Sequence, residues 1–289
     1  MKSIRLNHVE LSYMDRGEGI PLVLLHGFPM DHAMWDGQVV GLAKETGDLL
    51  VGEAFMPIQG SRKAAAPRCR VLVPDLRGFG ASRSKQPHNC VTMEQFADDL
   101  VDWLNAIGVR EPIVLGGLSM GGYIALQFWR KYSDRLRGLI FCDTRANADS
   151  PEAAASRRAT ADRLLQEGPG VLAEGMLPRL FSKYTREHNY PIVEMLQKVI
   201  LAGDAHGYAA AMRGMAERPD MTASLGKIEC PTLLLVGQED ALTTPQEMRA
   251  MAEAIPHATF MEIPNGGHLA PLENVAGANV AMGLFLAKL

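Results

Sequence analysis

One serine, one aspartate and one histidine each follow an apolar run in this chain, and together they could do acyl-transfer chemistry. In "GGLSMGGY", Ser119 stands between Gly117 and Gly121 in a G-x-S-x-G pattern. A strand that turns into a helix at a single residue crowds its neighbours two positions away, and glycines relieve the crowding. The turn lifts the hydroxyl above the sheet, beside the free N–H groups of a helix start. A serine hydroxyl is a weak nucleophile near neutral pH. It needs an imidazole to take its proton, and the imidazole needs a carboxylate to fix its tautomer. Asp240 ends "LLLVGQED", and His268 lies in the glycine-rich "NGGHLAPLEN" that follows the next apolar run. The chain order Ser119, Asp240, His268 suits such a relay.

Two other carboxylates compete for the third place. Glu239 is adjacent to Asp240 but is expected on the other side of the chain. Asp143 ends "LRGLIFCD" and could also reach the histidine. Asp240 is favoured, with Asp143 as its substitute. Acyl transfer also needs donors for an oxyanion. The N–H of Met120 follows the nucleophile. The N–H of Phe28 comes from "HGFPMDHAMW", where Pro29 has none to give. His26 is expected to brace this loop, and Asp75 and Arg77 of "PDLRGFGAS" to hydrogen-bond it. His8, His32, His88, His188, His206 and His257 have no matching strand-end partner and read as surface or packing residues.

These side chains must be held at the carboxyl ends of strands, where parallel sheets form their sites. Six short apolar runs read as such strands: 21–27, 69–75, 112–119, 136–144, 231–240 and 258–264. "TMEQFADDLVDWLNAIGV" reads as an amphipathic helix with Thr92 and Gln95 as a capping box and Phe96, Leu100, Leu104 and Ile107 on one face. The alternation predicts an α/β fold with a mostly parallel sheet flanked by helices. "IRLNHVELSYMDRG" alternates and suits an antiparallel edge hairpin.

From about Arg145 to Asp220 there is no strand signal. This stretch is expected to be a helical cap (145–220) inserted into a core made of 1–144 and 221–289. Met176, Leu180, Phe181, Met195, Met212 and Met215 are its candidate substrate-pocket residues, predicting small to medium apolar acyl groups.

The chain has 289 residues, 47% of them apolar and 21% charged, with a formal net charge of −4. These values suit an ordinary soluble protein and give no electrostatic case for nucleic acid or an anionic membrane. The N-terminus lacks an apolar signal region, and no apolar run spans a bilayer. Cys69, Cys90, Cys142 and Cys230 are scattered, so reduced thiols in a cytoplasmic protein are expected, with neither a disulfide frame nor a metal site. The expected partner is a small-molecule ester or lactone, with no cofactor. The oligomeric state is not read.

"HGFP", "DLRGFGAS", "GLSMGG", "GQED" and "NGGHLAPLEN" together resemble the α/β-hydrolase superfamily in motif and order. Within it the chain looks similar to small bacterial carboxylesterases and 3-oxoadipate enol-lactonase-like hydrolases, with cofactor-free haloperoxidases and perhydrolases also near. The resemblance implies the α/β-hydrolase fold and a serine hydrolase. It leaves open perhydrolysis and a receptor role with slow turnover. Epoxide hydrolases and haloalkane dehalogenases differ, carrying Asp where this chain has Ser119. The chain departs from its relatives at 44–68, where a longer connection is expected to form a peripheral loop away from the site.

Overall fold

The computed structural model describes residues 1–6, 9–43, 68–84 and 88–289. Of the expected loop at 44–68, residues 44–67 lie outside the described residues, as does His8. The strands are β1 (Lys2–Arg5), β2 (Val9–Arg16), β3 (Ile20–Leu25), β4 (Cys69–Pro74), β5 (Arg83–Ser84), β6 (Ile113–Leu118), β7 (Leu136–Cys142), β8 (Thr232–Gly237) and β9 (Ala258–Ile263). Their order in the sheet is β1-β2-β4-β3-β6-β7-β8-β9, with the two-residue β5 beside β2.

Every pair from β4 to β9 is parallel, while β1 and β2 run antiparallel at the edge. All six residues of β6 and all six of β8 are buried, as apolar runs without alternation require. The six expected strands and the edge hairpin are thus present, in the mostly parallel α/β architecture anticipated above.

Helices α1 (Asp36–Leu42), α2 (Met93–Ala106) and α3 (Met120–Tyr132) lie among the first strands. In α2, Thr92 and Gln95 form the reciprocal capping box, and Phe96, Leu100, Trp103 and Leu104 are buried. Each such burial is worth about 2 kcal/mol. Ile107 sits at the C-terminal cap, only partly buried against the core.

Between β7 and β8 the chain forms α4 (Pro151–Glu167), α5 (Gly170–Leu180), α6 (Lys183–His188), α7 (Tyr190–Ala202) and α8 (Ala205–Ala216), with no strand among them. Helix α8 packs along α4 and touches α2. It also carries Tyr208, whose hydroxyl donates to the Pro29 carbonyl (3.1 Å). Helices α9 (Pro245–Glu253), α10 (Ala270–Glu273) and α11 (Val275–Leu286) complete the chain. Among the described residues, no helix is long and apolar enough to cross a membrane. None of the four cysteines is in a disulfide, and burial pushes the Cys69 thiol up to about 11.

Candidate active site

Ser119 is the whole turn between β6 and α3. Its φ of 51° lies in the left-handed region that side chains rarely adopt. Backbone bonds on both sides hold it there. Its N–H donates to the Cys142 carbonyl (2.9 Å), and its carbonyl accepts from Gly122 N–H (2.9 Å) and the Thr144 hydroxyl (2.8 Å). The flanking glycines are sterically required. A Cβ on Gly117 would run into the Gly121 carbonyl, and one on Gly121 would meet the Leu25 carbonyl oxygen at 2.5 Å.

His268 lies in the loop between β9 and α10 and is buried. Its Nε2 is 2.9 Å from Ser119 Oγ, and its Nδ1 is 2.9 Å from Asp240 Oδ2. A carboxylate can only accept, so Nδ1 carries the ring proton and Nε2 is left to accept from the serine hydroxyl.

Asp240 is buried in the loop after β8. Its Oδ1 accepts from Leu242 N–H (2.7 Å) and Thr243 N–H (3.0 Å), and its Oδ2 accepts from the Thr243 hydroxyl. Burial alone would raise its pKa. The charge and hydrogen bond of His268, with the bonds from Thr243, outweigh that and hold the carboxyl below its ordinary range.

The competing carboxylates are engaged elsewhere. Asp143 is fully buried and accepts from Gly237 N–H (2.8 Å) and Ala270 N–H (3.1 Å). Burial, reinforced by the Asp240 charge, pushes its pKa well up. Glu239 is exposed and accepts from Lys183 N–H (2.8 Å), on the far side of the chain as expected.

The histidine loop is also fastened to the helices inserted after β7. His268 N–H donates to the Leu180 carbonyl (2.9 Å). Glu273 accepts from Gly267 N–H (2.7 Å) and Leu269 N–H (3.2 Å) with one oxygen and from Ser182 N–H (2.8 Å) with the other. The residues on both sides of His268 are therefore held by one carboxylate.

Phe28 and Met120 are buried, and neither backbone N–H donates to any protein acceptor among the described residues. Buried unpaired N–H groups are rare. The Phe28 loop is braced as expected by His26. Its Nε2 accepts from Leu76 N–H (3.0 Å), so the proton sits on Nδ1 and is donated to the Gly27 carbonyl (3.0 Å). Burial lowers the His26 pKa, consistent with a neutral ring.

Two expectations need correction here. His32 is not an idle histidine, because it bonds the strand-end Asp75 through both its ring Nδ1 (2.7 Å) and its N–H (2.9 Å). Arg77 does not reach this loop. It pairs with Asp99 and lies near His88, drawn to the buried carboxylate of α2.

A cavity of about 460 Å³ opens over Ser119 and His268. Met176, Met212 and Met215 line it, together with Phe28. Leu180, Phe181 and Met195 do not. Leu180 and Phe181 are buried where the inserted segment meets the His268 loop, against Gly267. Helix α7 buries Val193, Leu196 and Ile200, a face that does not include Met195.

Nor is the lining simply apolar. Arg145, Arg157, Arg163, Arg179 and Arg218 all contribute to it. The sequence alone carries no helix phase to say which arginines of the inserted segment face inward. Thr243 and Glu273 were not expected at the site, although Thr243 follows closely on Asp240 and Glu273 lies within "NGGHLAPLEN".

The profile of the alpha/beta hydrolase fold matches residues 20–275. A thermophilic esterase from Thermogutta terrifontis, in a malate-bound structure, is 44% identical with a TM-score of 0.89, covering 100% of this chain and 99% of its own. The enol-lactonase from Burkholderia xenovorans LB400 is 27% identical with a TM-score of 0.83, covering 99% of each chain. The 3-oxoadipate enol-lactonase 2 of Acinetobacter baylyi is 27% identical over 212 residues, 73% of this chain and 76% of that protein.

Proposed function

The chain belongs to the alpha/beta hydrolase fold family, and from that premise we propose that it is a serine hydrolase cleaving carboxylic esters or lactones through an acyl-enzyme on Ser119. The observation that carries this reading is the unbroken hydrogen-bonded series from Ser119 Oγ through the His268 ring to Asp240. The esterase and enol-lactonase relatives support the bond type.

As Ser119 Oγ bonds to the substrate carbonyl carbon, His268 Nε2 takes the hydroxyl proton and Asp240 stabilises the imidazolium. The carbonyl oxygen becomes an oxyanion, and the unpaired N–H groups of Phe28 and Met120 donate to it. Collapse expels the alcohol, which leaves with the proton from Nε2. In a lactone the alcohol stays tethered to the acyl group. Water then gives a proton to Nε2 and attacks the acyl carbon. The acid departs as Ser119 recovers its proton. No step calls on a metal or organic cofactor. The helices of residues 145–220 act as the cap that selects the substrate, over a core of 1–144 and 221–289.

The test is Ser119→Ala assayed with p-nitrophenyl acetate and butyrate. Turnover is expected to fall by at least about a thousandfold. Wild-type rates in a folded variant would refute the nucleophile. Sustained turnover by the wild type, beyond one equivalent of nitrophenol, separates an enzyme from a receptor that reacts once.

A further inference from the structure

Five arginines and a single acidic residue, Asp149, are among the residues that line the cavity over Ser119. That carboxylate is already shared. Arg157 Nε holds one of its oxygens (2.6 Å) and Arg218 Nη1 the other (2.8 Å). Two of the other three arginines have partners. Arg163 pairs with Glu167, and Arg145 bonds the Leu242 carbonyl and approaches Glu247 at 3.6 Å. Arg179 has no protein partner among the described residues, though it reaches the lining from the end of α5.

Arg218 is fully committed. It is buried, donates to the carbonyls of Asn147 and Met215, and stacks over the Tyr123 ring at 4.3 Å. Arg157 is not. Apart from Asp149, its only hydrogen-bond contact among the described residues is Nη1 to the Met215 thioether at 3.8 Å, a weak acceptor. The cavity lining therefore keeps an excess of positive charge, with spare guanidinium donors on Arg157 and on the exposed Arg179.

Neutral acyl chains make no use of such donors, and an apolar group there would strip water from the charges without return. A carboxylate would use them fully, because the guanidinium fork matches its two oxygens. We propose that the natural substrate is an ester or lactone bearing a second, ionised carboxylate, which Arg179 and Arg157 hold while Ser119 attacks the neutral acyl carbon. This rests on the hydrolase reading above and adds the substrate's charge to it. The methionines of the lining then pack the carbon chain between the two ends.

The experiment compares matched methyl esters: the monomethyl esters of succinate, glutarate and adipate against methyl butyrate, pentanoate and hexanoate. Wild-type kcat/KM is expected to favour the acid-bearing member of at least one pair by about tenfold or more at low salt, narrowing as ionic strength rises. Arg179→Gln is expected to lower that ratio at least about tenfold, chiefly through KM. Arg179→Lys is expected to restore part of it. Arg130→Gln, on the surface of α3 beside Glu94, is the charge-matched control and keeps the wild-type ratio. Preference for the neutral ester at every length, or equal ratios in the Arg179 and Arg130 variants, overturns the proposal.

A binding measurement keeps the two readings apart. Calorimetry on Ser119→Ala is expected to show the monomethyl adipate binding and methyl hexanoate not, with the difference lost when Arg179→Gln is added. That result upholds the anion site whatever the turnover, and equal binding of both esters refutes it.

Discussion

Three non-glycine residues among those described take a positive φ: Ser119 at 51°, Asp143 at 44° and Asn265 at 59°. Each follows a strand of the sheet, and each such conformation costs on the order of 1–3 kcal/mol unless its surroundings enforce it. Around Ser119 and Asp143 the enforcing bonds are the ones that assemble the site. The same comparison separates two aspartates that sequence alone left as rivals. Both end strands, but only Asp240 touches the histidine ring, while Asp143 ties the Gly237 and Ala270 backbones together from below. Asp240→Asn is expected to cut kcat by about 10³–10⁴, since the amide favours the wrong imidazole tautomer. Asp143→Asn sets an amide N–H₂ against one of two backbone donors. It is expected to cost about 1–3 kcal/mol in urea unfolding with a far smaller loss of kcat. A larger catalytic loss at Asp143 than at Asp240 would reverse their roles. The sequence favours Asp240 but leaves Asp143 as a substitute, because strand-end position specifies neighbourhood and not side-chain direction.

Elements with a strong local period were the legible ones. The buried parallel strands carry unbroken apolar runs, and α2 announces itself by its cap and apolar face. The edge is a different case, held as much by charge as by apolar contact. Asp15 on β2 accepts from Lys2 on β1 (2.8 Å) and from Arg70 on β4 through two nitrogens (2.9 and 3.0 Å). The Arg70 hydrogen bonds, followed by the help of Lys2 and opposed by burial, bring the Asp15 carboxyl down to about 2. A carboxyl lowered on folding stabilises the fold above its unfolded value of about 3.9, and that contribution drains away as pH falls toward the folded value. Asp15→Asn is therefore expected to cost about 1 kcal/mol at neutral pH. Its deficit relative to wild type shrinks between about pH 4 and about pH 2. Urea unfolding at pH 7 and pH 3 reads this directly. A deficit that stays constant with pH would mean that packing, not charge, accounts for it.

At the scale of the whole molecule, the sheet and its carboxyl-end residues were readable, and the substrate pocket was not. The pocket is built where the inserted helices meet the sheet, so it depends on helix phase and on packing between distant segments. That is why Met176, Met212 and Met215 reach the cavity while Met195, of the same type, does not. The junction also makes a prediction of its own. Glu273→Gln leaves only one carbonyl oxygen for three backbone donors around His268 and Ser182. Turnover of simple esters is expected to fall by about tenfold or more as the imidazole loses its aim. Hydrogen exchange is expected to quicken in 180–182 and 265–270 together. Faster exchange in one segment alone would show that the carboxylate does not join them.

That junction bears on how new specificities arise on this scaffold. The proposed base, His268, hangs by its own backbone N–H from the carbonyl of Leu180, a residue of the inserted helices. Transplanting the helices of a relative at the chain's crossing points would exchange that hook along with the pocket. A recombination that keeps Leu180 to Ser182 with the sheet, and changes only the helices on either side, leaves the imidazole its anchor. The unit that holds the proposed base in place thus includes three residues of the inserted segment, Leu180 to Ser182.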